Sequence, residues 1–455
     1  MLSVINPATG DVVAELTEDT PDTIAHKAQA ARQAQQGWAD QPLSERLNAI
    51  RRFANLMTEH EDALAKTLTQ EMGKPLKQAH NEIKGTLGRL NFFVKQTPRM
   101  LGVRYALETP DMHEEISWDP LGLVINISAW NYPWFVGSNV FLPALLTGNA
   151  VLYKPSEFAS MTGQRIAELL WEAGIPQEVF VPIIGGGHVG AQLLQEEADG
   201  VFFTGSYTTG RAIAKALSGR FVHLQLELGG KDPAYICDDV DVAKAAAGVA
   251  DGAFYNAGQS CCAVERIYVH DTIHDAFIDH LQSAIEALVV GDPTDPDTTL
   301  GPLTREPQIA ILKAQVQDAL DRGATLHCGG KRLDRPGYYF APTLLTNVDH
   351  SMAVMRDETF GPVIGVQRVS DDETAIALMN DTPYGLTSGV YTRSESRART
   401  ILGRMKSGSV YWNCCDRVSP RLPWSGRGHS GMGLTLSTEG IRAFTRPRAW
   451  HMRPA

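Results

Sequence analysis

A thiol and a carboxylate occupy two low-bulk stretches of this chain. Cys261 closes the segment Phe254-Tyr-Asn-Ala-Gly-Gln-Ser-Cys261 and is followed by Cys262, and Glu227 lies 34 residues upstream in Leu226-Glu227-Leu228-Gly229-Gly230-Lys231. A thiolate is a strong nucleophile, and a carboxylate beside it can take a proton from water or from the thiol. An ordinary thiol is mostly protonated at neutral pH, so such chemistry needs surroundings that favour the thiolate. A free cysteine is more often a small buried hydrophobe than a nucleophile, and Cys262 reads that way, as packing or redox backup. The apolar Leu226 and Leu228 on either side argue against full exposure of Glu227.

These groups must be positioned by a chain of 455 residues, too long for a single core and expected to form two or more domains. Apolar residues make up 43% and charged residues 20%, an ordinary globular composition. A formal charge of −11 argues against nucleic-acid or anionic-membrane partners. The start shows no signal-peptide pattern, and the longest apolar runs, such as 121–127, fall short of the ~20 residues of a membrane helix. Six cysteines, two pairs of them adjacent (261/262 and 414/415), make no disulfide framework. No Cys-x-x-Cys or His-Glu-x-x-His spacing points to a metal. The expectation is a cytoplasmic, reduced, metal-free protein.

Thr20-Pro21 reads as a helix N-cap with proline at the first helical position. A helical pattern runs from there to about residue 100, broken near Gln41-Pro42 and Gly73-Lys-Pro75. The texture then changes to short apolar runs, 123–127 and 150–153, expected to be buried strands with a helix between them. A strand at 179–184, a helix at 189–196, a strand at 200–203 and a helix at 209–217 continue the alternation. Further strands are expected near 234–236, 266–269, 364–367 and 389–391. Strands alternating with helices imply parallel βαβ units with both sheet faces covered.

Two glycine-bearing turns could face an anion. Gly185-Gly-Gly187-His-Val-Gly190 matches Gly-x-Gly-x-x-Gly, but it closes a later βα unit and has no acidic ribose partner ~20 residues on. Phe203-Thr204-Gly205-Ser206-Tyr-Thr-Thr-Gly210 places Gly-Ser at a strand end before a helix, where backbone amides and the Ser206 hydroxyl can meet a phosphate.

Further motifs follow in order: Ala129-Trp130-Asn131-Tyr132-Pro133, Lys154-Pro-Ser-Glu157, Gly291-Asp-Pro293, Glu358-Thr-Phe360-Gly-Pro362 and Asn380-Asp-Thr-Pro-Tyr-Gly385. Together with the Glu227 and Cys261 segments, this set resembles the NAD(P)-dependent aldehyde dehydrogenase superfamily over nearly the whole chain. The resemblance implies an α/β fold with a Rossmann-type NAD-binding domain (1–104 and 120–228), an α/β catalytic domain (229–430) and a small β oligomerisation element (105–119 and 431–455). It also implies a homodimer or homotetramer. By the same resemblance Cys261 is the nucleophile, Asn131 and the Cys261 amide bind the oxyanion, and Glu227 activates the water that hydrolyses a thioester. Trp130, Lys154, Glu157, Gly205, Ser206, Gly210, Leu228, Glu358 and Phe360 would bind the cofactor. Glu157 favours NAD over NADP, because a carboxylate accepts ribose hydroxyls and repels a 2′-phosphate. The Gly185–Gly190 match becomes a neighbouring turn.

The chain departs from its relatives at several positions. Many carry Lys nine residues after the oxyanion Asn and Glu in a C-terminal motif; here those positions hold Val140 and Thr435, so proton exit from Glu227 is expected to use water or another polar route, with His429 a candidate participant. The Arg pair of acid-semialdehyde members is replaced by Asn139 and Tyr255, while Arg417 and Arg421 could bring in an anionic group. Tyr132, Tyr255 and Trp424 match three positions of the aromatic box that holds cationic aldehydes; Trp134 is expected in the same pocket. The substrate class therefore stays open between neutral, cationic and acidic aldehydes. The competing functions are a coenzyme A-acylating relative and a catalytically silent one.

Overall fold

The computed structural model describes residues 1–415 and 417–453. Residues 454–455, at the end of the expected small β element, lie outside the described residues. The chain opens with a β-hairpin, Leu2–Ile5 with Val12–Leu16, followed by helices Pro21–Ala39, Leu43–Glu59, Glu61–Met72 and Leu76–Leu101. Thr20 caps the first helix by accepting from Thr23 N at 3.3 Å, with Pro21 opening it. The breaks fall at the expected Pro42 and Gly73-Lys74-Pro75, with one more at His60. Gly73 ends its helix in the left-handed region at φ 83°.

Two parallel sheets follow. Among the described residues the first has six strands in the order Gly431–Met432, His223–Leu228, Gly200–Gly205, Leu123–Ile127, Ala150–Lys154, Phe180–Pro182. All its neighbours run parallel except Gly431–Met432, which is antiparallel to His223–Leu228. Leu123–Ile127 and Ala150–Lys154 are buried at every position, as continuous apolar strands covered on both faces should be. The helix Pro133–Leu146 packs on one face; Ile24, Ala28 and Ala31 of the first helix join the core on the other. Strand order reverses at Leu123–Ile127, the kind of switch point where α/β sheets open a crevice beyond their carboxyl ends.

Among the described residues the second sheet has seven strands, ordered Thr325–Cys328, Thr343–Thr346, Val363–Val369, Arg266–His270, Pro233–Ile236, Thr387–Tyr391, Ser409–Trp412. Only its first pair is antiparallel. A third, antiparallel sheet joins Arg104–Thr109, Met112–Pro120 and Thr445–Met452.

The boundary expected at residue 431 moves. Gly431–Met432 belongs to the six-stranded sheet, and the helix Ser437–Arg442 contributes Ile441 to the amino-terminal core, so the small sheet takes up the chain only at Thr445. Short edge strands such as Gly431–Met432 and Ser409–Trp412 escaped the sequence reading because two to four residues carry no usable periodicity. Among the described residues no helix is long and apolar enough to cross a membrane.

Candidate active site

Cys261 follows a backbone segment under strain. Asn256, Ala257 and Gly258 have successive φ values of 54°, 56° and 71°. Left-handed conformations cost a non-glycine residue on the order of 1–3 kcal/mol. The surroundings hold them there. Asn256 N donates to Gln78 Oε1 at 3.0 Å, and Asn256 Nδ2 donates to the carbonyls of Asn131 at 3.2 Å and Gln259 at 3.1 Å. Gln259 Oε1 in turn accepts from Thr304 N at 2.9 Å. A Cβ on Gly258 would lie 2.3 Å from the Gly361 carbonyl oxygen, so only glycine fits that turn. The result presents a half-buried Cys261 to a cavity of about 570 Å³. Buried Cys262 contacts Ser260 Oγ through Sγ at 3.4 Å.

Asn131 lines the same cavity and is 4% exposed. Its Nδ2 donates one hydrogen to Gln259 O at 3.1 Å, which orients the amide and leaves its second hydrogen uncommitted. The backbone N–H of Cys261 has no acceptor among the described residues. Two donors of this kind beside a nucleophile form the arrangement that stabilises a developing oxyanion. Asn131 is itself held from behind. Lys74 Nζ donates to its carbonyl at 2.9 Å and forms a buried ion pair with Glu82. The other Glu82 oxygen accepts from Trp134 N at 2.9 Å and Phe135 N at 3.4 Å, at the positive end of the helix Pro133–Leu146.

Glu227, at the end of His223–Leu228, is 5% exposed and does not line the cavity. Its Oε1 accepts from Gln225 Nε2 at 2.8 Å and Thr435 Oγ1 at 3.2 Å, while Oε2 is buried without a hydrogen-bond partner. Burial pushes its carboxyl well above the usual range, opposed by the bonds from Thr435 and Gln225. His429 stacks on Tyr207 at 3.9 Å and meets Tyr384 edge-on at 5.8 Å, and makes no hydrogen bond to Glu227. Val140 is buried among apolar neighbours.

The residues expected at a dinucleotide gather beyond the carboxyl ends of the six-stranded sheet. Lys154 is 3% exposed, and its ammonium donates only to Pro155 O, at 3.2 Å, among the described residues. That leaves N–H groups for ribose hydroxyls. Burial lowers the Lys154 pKa, and the Glu157 charge opposes the shift. Ser156 Oγ donates to Glu157 Oε2 at 3.1 Å. Gly205 ends its strand and Ser206 caps the helix Tyr207–Leu217. Gly210 lets Leu228 pack against that helix; a Cβ there would meet Leu228 Cδ2 at 2.5 Å. Trp130 and Phe360 meet edge to face at 5.5 Å. Glu358 accepts from Gly230 N at 3.2 Å, and burial together with the charge of Glu265 pushes its carboxyl up to about 8. The buried under-bonded ammonium and the capped helix start fit a cofactor of phosphates and ribose. In the Gly185–Gly190 turn, Gly186 N donates instead to Glu18 Oε1 at 3.1 Å, and a carboxylate there repels phosphate.

The cavity wall corrects one expectation. Trp134 is 0% exposed and packs in the core; Phe135 and Val136, the next residues on the helix, face the cavity instead. Tyr132, Asn139, Tyr255 and Trp424 line it as expected. Unforeseen were Gln78, Asn81, Glu82, Gly85 and Arg89, all from the helix Leu76–Leu101. They recur every three to four residues, so a polar, small-residue face on an otherwise core-forming helix was the signal available.

A family profile described as "Aldehyde dehydrogenase family" matches residues 1–450. The chain is 36% identical over 450 residues to a succinate-semialdehyde dehydrogenase [NADP(+)] of Deinococcus radiodurans, covering 98% of this chain and 94% of that one. Among solved structures, an NADP-dependent enzyme of E. coli superposes with TM-score 0.97 at 32% identity, over 100% of this chain and 95% of that one. A betaine aldehyde dehydrogenase of Staphylococcus aureus in complex with NAD+ superposes with TM-score 0.95 at 32% identity, over 99% and 91%.

Proposed function

From a chain that belongs to the aldehyde dehydrogenase family, an oxidoreductase acting on aldehydes with NAD or NADP as acceptor, we propose that oxidation proceeds through covalent bonds made at Cys261. The Cys261 thiolate, its proton already given up to solvent, adds through Sγ to the aldehyde carbon, and the oxyanion of the resulting thiohemiacetal is received by the Cys261 amide and Asn131 Nδ2. A bound nicotinamide cofactor supplies the acceptor for the hydride that leaves this carbon. What remains on Cys261 is a thioester. Glu227 takes a proton from water, the hydroxide adds to the thioester carbon, and the C–S bond breaks to release the carboxylic acid and the Cys261 thiolate. To reach that water the Glu227 carboxylate turns away from Gln225 and Thr435, and its unpartnered Oε2 marks a resting position that does not satisfy it fully.

The observation that carries this reading is the convergence of Cys261, its free amide and the Asn131 side-chain amide on one cavity. Lys154, Glu157, Ser206, Trp130, Glu358 and Phe360 would hold the cofactor, and Glu157 supports NAD as the preferred form. A rapid-mixing absorbance assay tests the whole. NADH should form with an aldehyde and no coenzyme A, and Cys261→Ala should form none. An absolute requirement for coenzyme A would replace water by a thiol acceptor.

The exposed apolar residues Tyr105, Leu107, Trp450 and Met452 on the three-stranded sheet support assembly through that sheet. Light scattering on the purified chain should give a dimer or tetramer, and a monomer would count against it.

A further inference from the structure

The cavity holds a charge that the reaction at Cys261 leaves without a task. Arg89, on the helix Leu76–Leu101, is 5% exposed and lines the cavity with Cys261. Its Nη1 donates to Asn139 Oδ1 at 2.8 Å and to Phe135 O at 3.3 Å, and its guanidinium carbon sits 3.9 Å from the centre of the Phe135 ring. These are neutral partners. Among the described residues no carboxylate forms an ion pair with Arg89, and its Nε and Nη2 hydrogens have no acceptor. Nearby Glu82 is already paired with Lys74. Burial lowers the Arg89 pKa only to about 10, so the group stays cationic at neutral pH.

An uncompensated buried charge is unfavourable, and it is relieved when an anion arrives with matching geometry. A guanidinium edge with two free N–H directions suits a carboxylate. The alternative, a cationic aldehyde in an aromatic box, meets two obstacles. Lys74 Nζ already lies 3.7 Å from the centre of the Tyr132 ring, and Tyr132 stacks on Phe135 at 5.9 Å, so two of the aromatic rings on the cavity wall already carry the protein's own cations. At the cavity mouth Arg421 adds positive charge.

We infer that Arg89, oriented by Asn139, selects aldehydes that carry a carboxylate at the end remote from the carbonyl. The inference rests on the proposed reaction at Cys261. It places the specificity charge on the helix Leu76–Leu101, not at positions 139 and 255, which hold Asn and Tyr in this chain.

The test compares kcat/KM for 4-oxobutanoate, butanal and betaine aldehyde in the wild type, Arg89→Met and Arg89→Lys. The wild type should favour 4-oxobutanoate over butanal by at least about ten-fold, as one charged hydrogen-bonded contact would give. Arg89→Met should collapse that ratio, chiefly through KM for 4-oxobutanoate, and Arg89→Lys should restore part of it. A merely structural role would lower all three substrates alike. Should Arg89→Met fail to fold, as judged by circular dichroism, the wild type alone decides: succinate should inhibit butanal oxidation competitively and butanamide should not. A wild type that prefers butanal or betaine aldehyde, a folded Arg89→Met with an unchanged ratio, or equal inhibition by the two analogues would overturn the assignment while leaving oxidation at Cys261 intact. If none of the three aldehydes is oxidised with NAD or NADP, it is the reading of Cys261 that falls.

Discussion

Thr435 donates a hydrogen bond to Oε1 of Glu227 at 3.2 Å, across 208 residues of sequence. The contact exists because Gly431 pairs with Glu227 at the sheet edge and the chain then returns past Trp424, which exchanges backbone hydrogen bonds with Thr435. A neutral hydroxyl thus occupies the place where many relatives have a second carboxylate. It supports the charged form of Glu227 without competing for its proton.

If Glu227 is the base of the proposed hydrolysis, burial and the opposing Thr435 bond together bear on the pH dependence of that step. Burial raises the Glu227 pKa, and below that pKa the group is protonated and cannot act as a base, so the hydrolysis rate should rise with pH. Thr435→Val removes a donor that favours the carboxylate, and the rising limb should move to higher pH. Single-turnover acyl-enzyme decay followed across pH tests this; a limb that stays put or moves down would count against Glu227 as the base.

Glu227→Gln should let one equivalent of NADH form in a burst and then turn over slowly, since in the proposed reaction this carboxylate acts only on the water of hydrolysis. Stability should respond as well. With the folded pKa raised, Glu227 contributes most below its unfolded value of about 4.3 and loses that contribution as pH rises through the folded pKa. Denaturant midpoints of Glu227→Gln should therefore decline less than those of the wild type as pH rises from about 4.3 through the folded pKa.

Asn131→Ala removes one of the two proposed oxyanion donors. A loss of about 100- to 1,000-fold in kcat is expected, with KM changing far less. A variant losing only affinity would make Asn131 a binding residue.

Breaking the Lys74–Glu82 pair should be costly, because Glu82 would stay buried without its cation. Lys74→Met is expected to lose about 3–5 kcal/mol of stability, and the double variant with Glu82→Gln should recover part of it. Denaturant unfolding of the three variants gives the comparison. Because Lys74 also holds the Asn131 carbonyl, kcat should fall in the folded fraction.

Glu157→Gln should raise the NADP-to-NAD ratio of kcat/KM by about ten-fold, the scale of one removed repulsion beside the ribose. An unchanged ratio would place cofactor choice elsewhere.

Much of this was legible in the chain itself. Pro42, Gly73 and Pro75 act on the backbone locally, and helix boundaries fall at all three, whereas Pro98 and Pro143 are carried inside helices by the packing around them. Apolar runs such as Leu123–Ile127 announce buried parallel strands because every side chain in them must be covered. The ordered motifs placed Cys261 and Asn131 at one site. Trp134 shows the limit: one residue along a helix turns a side chain by about 100°, enough to exchange a cavity wall for the core.

The sequence by itself determined which groups can react, because thiol, carboxylate and amide chemistry resides in residue types, and a glycine-bearing turn before Cys261 is visible in Asn-Ala-Gly. Only the tertiary structure decided what those groups feel. Glu227 is held by Thr435, Asn131 is braced by Lys74, and Arg89 stands at the cavity wall with no ion-pair partner among the described residues. Each of these depends on contacts between segments far apart in the chain, where burial and the absence of a counterion are properties of packing that no local pattern contains.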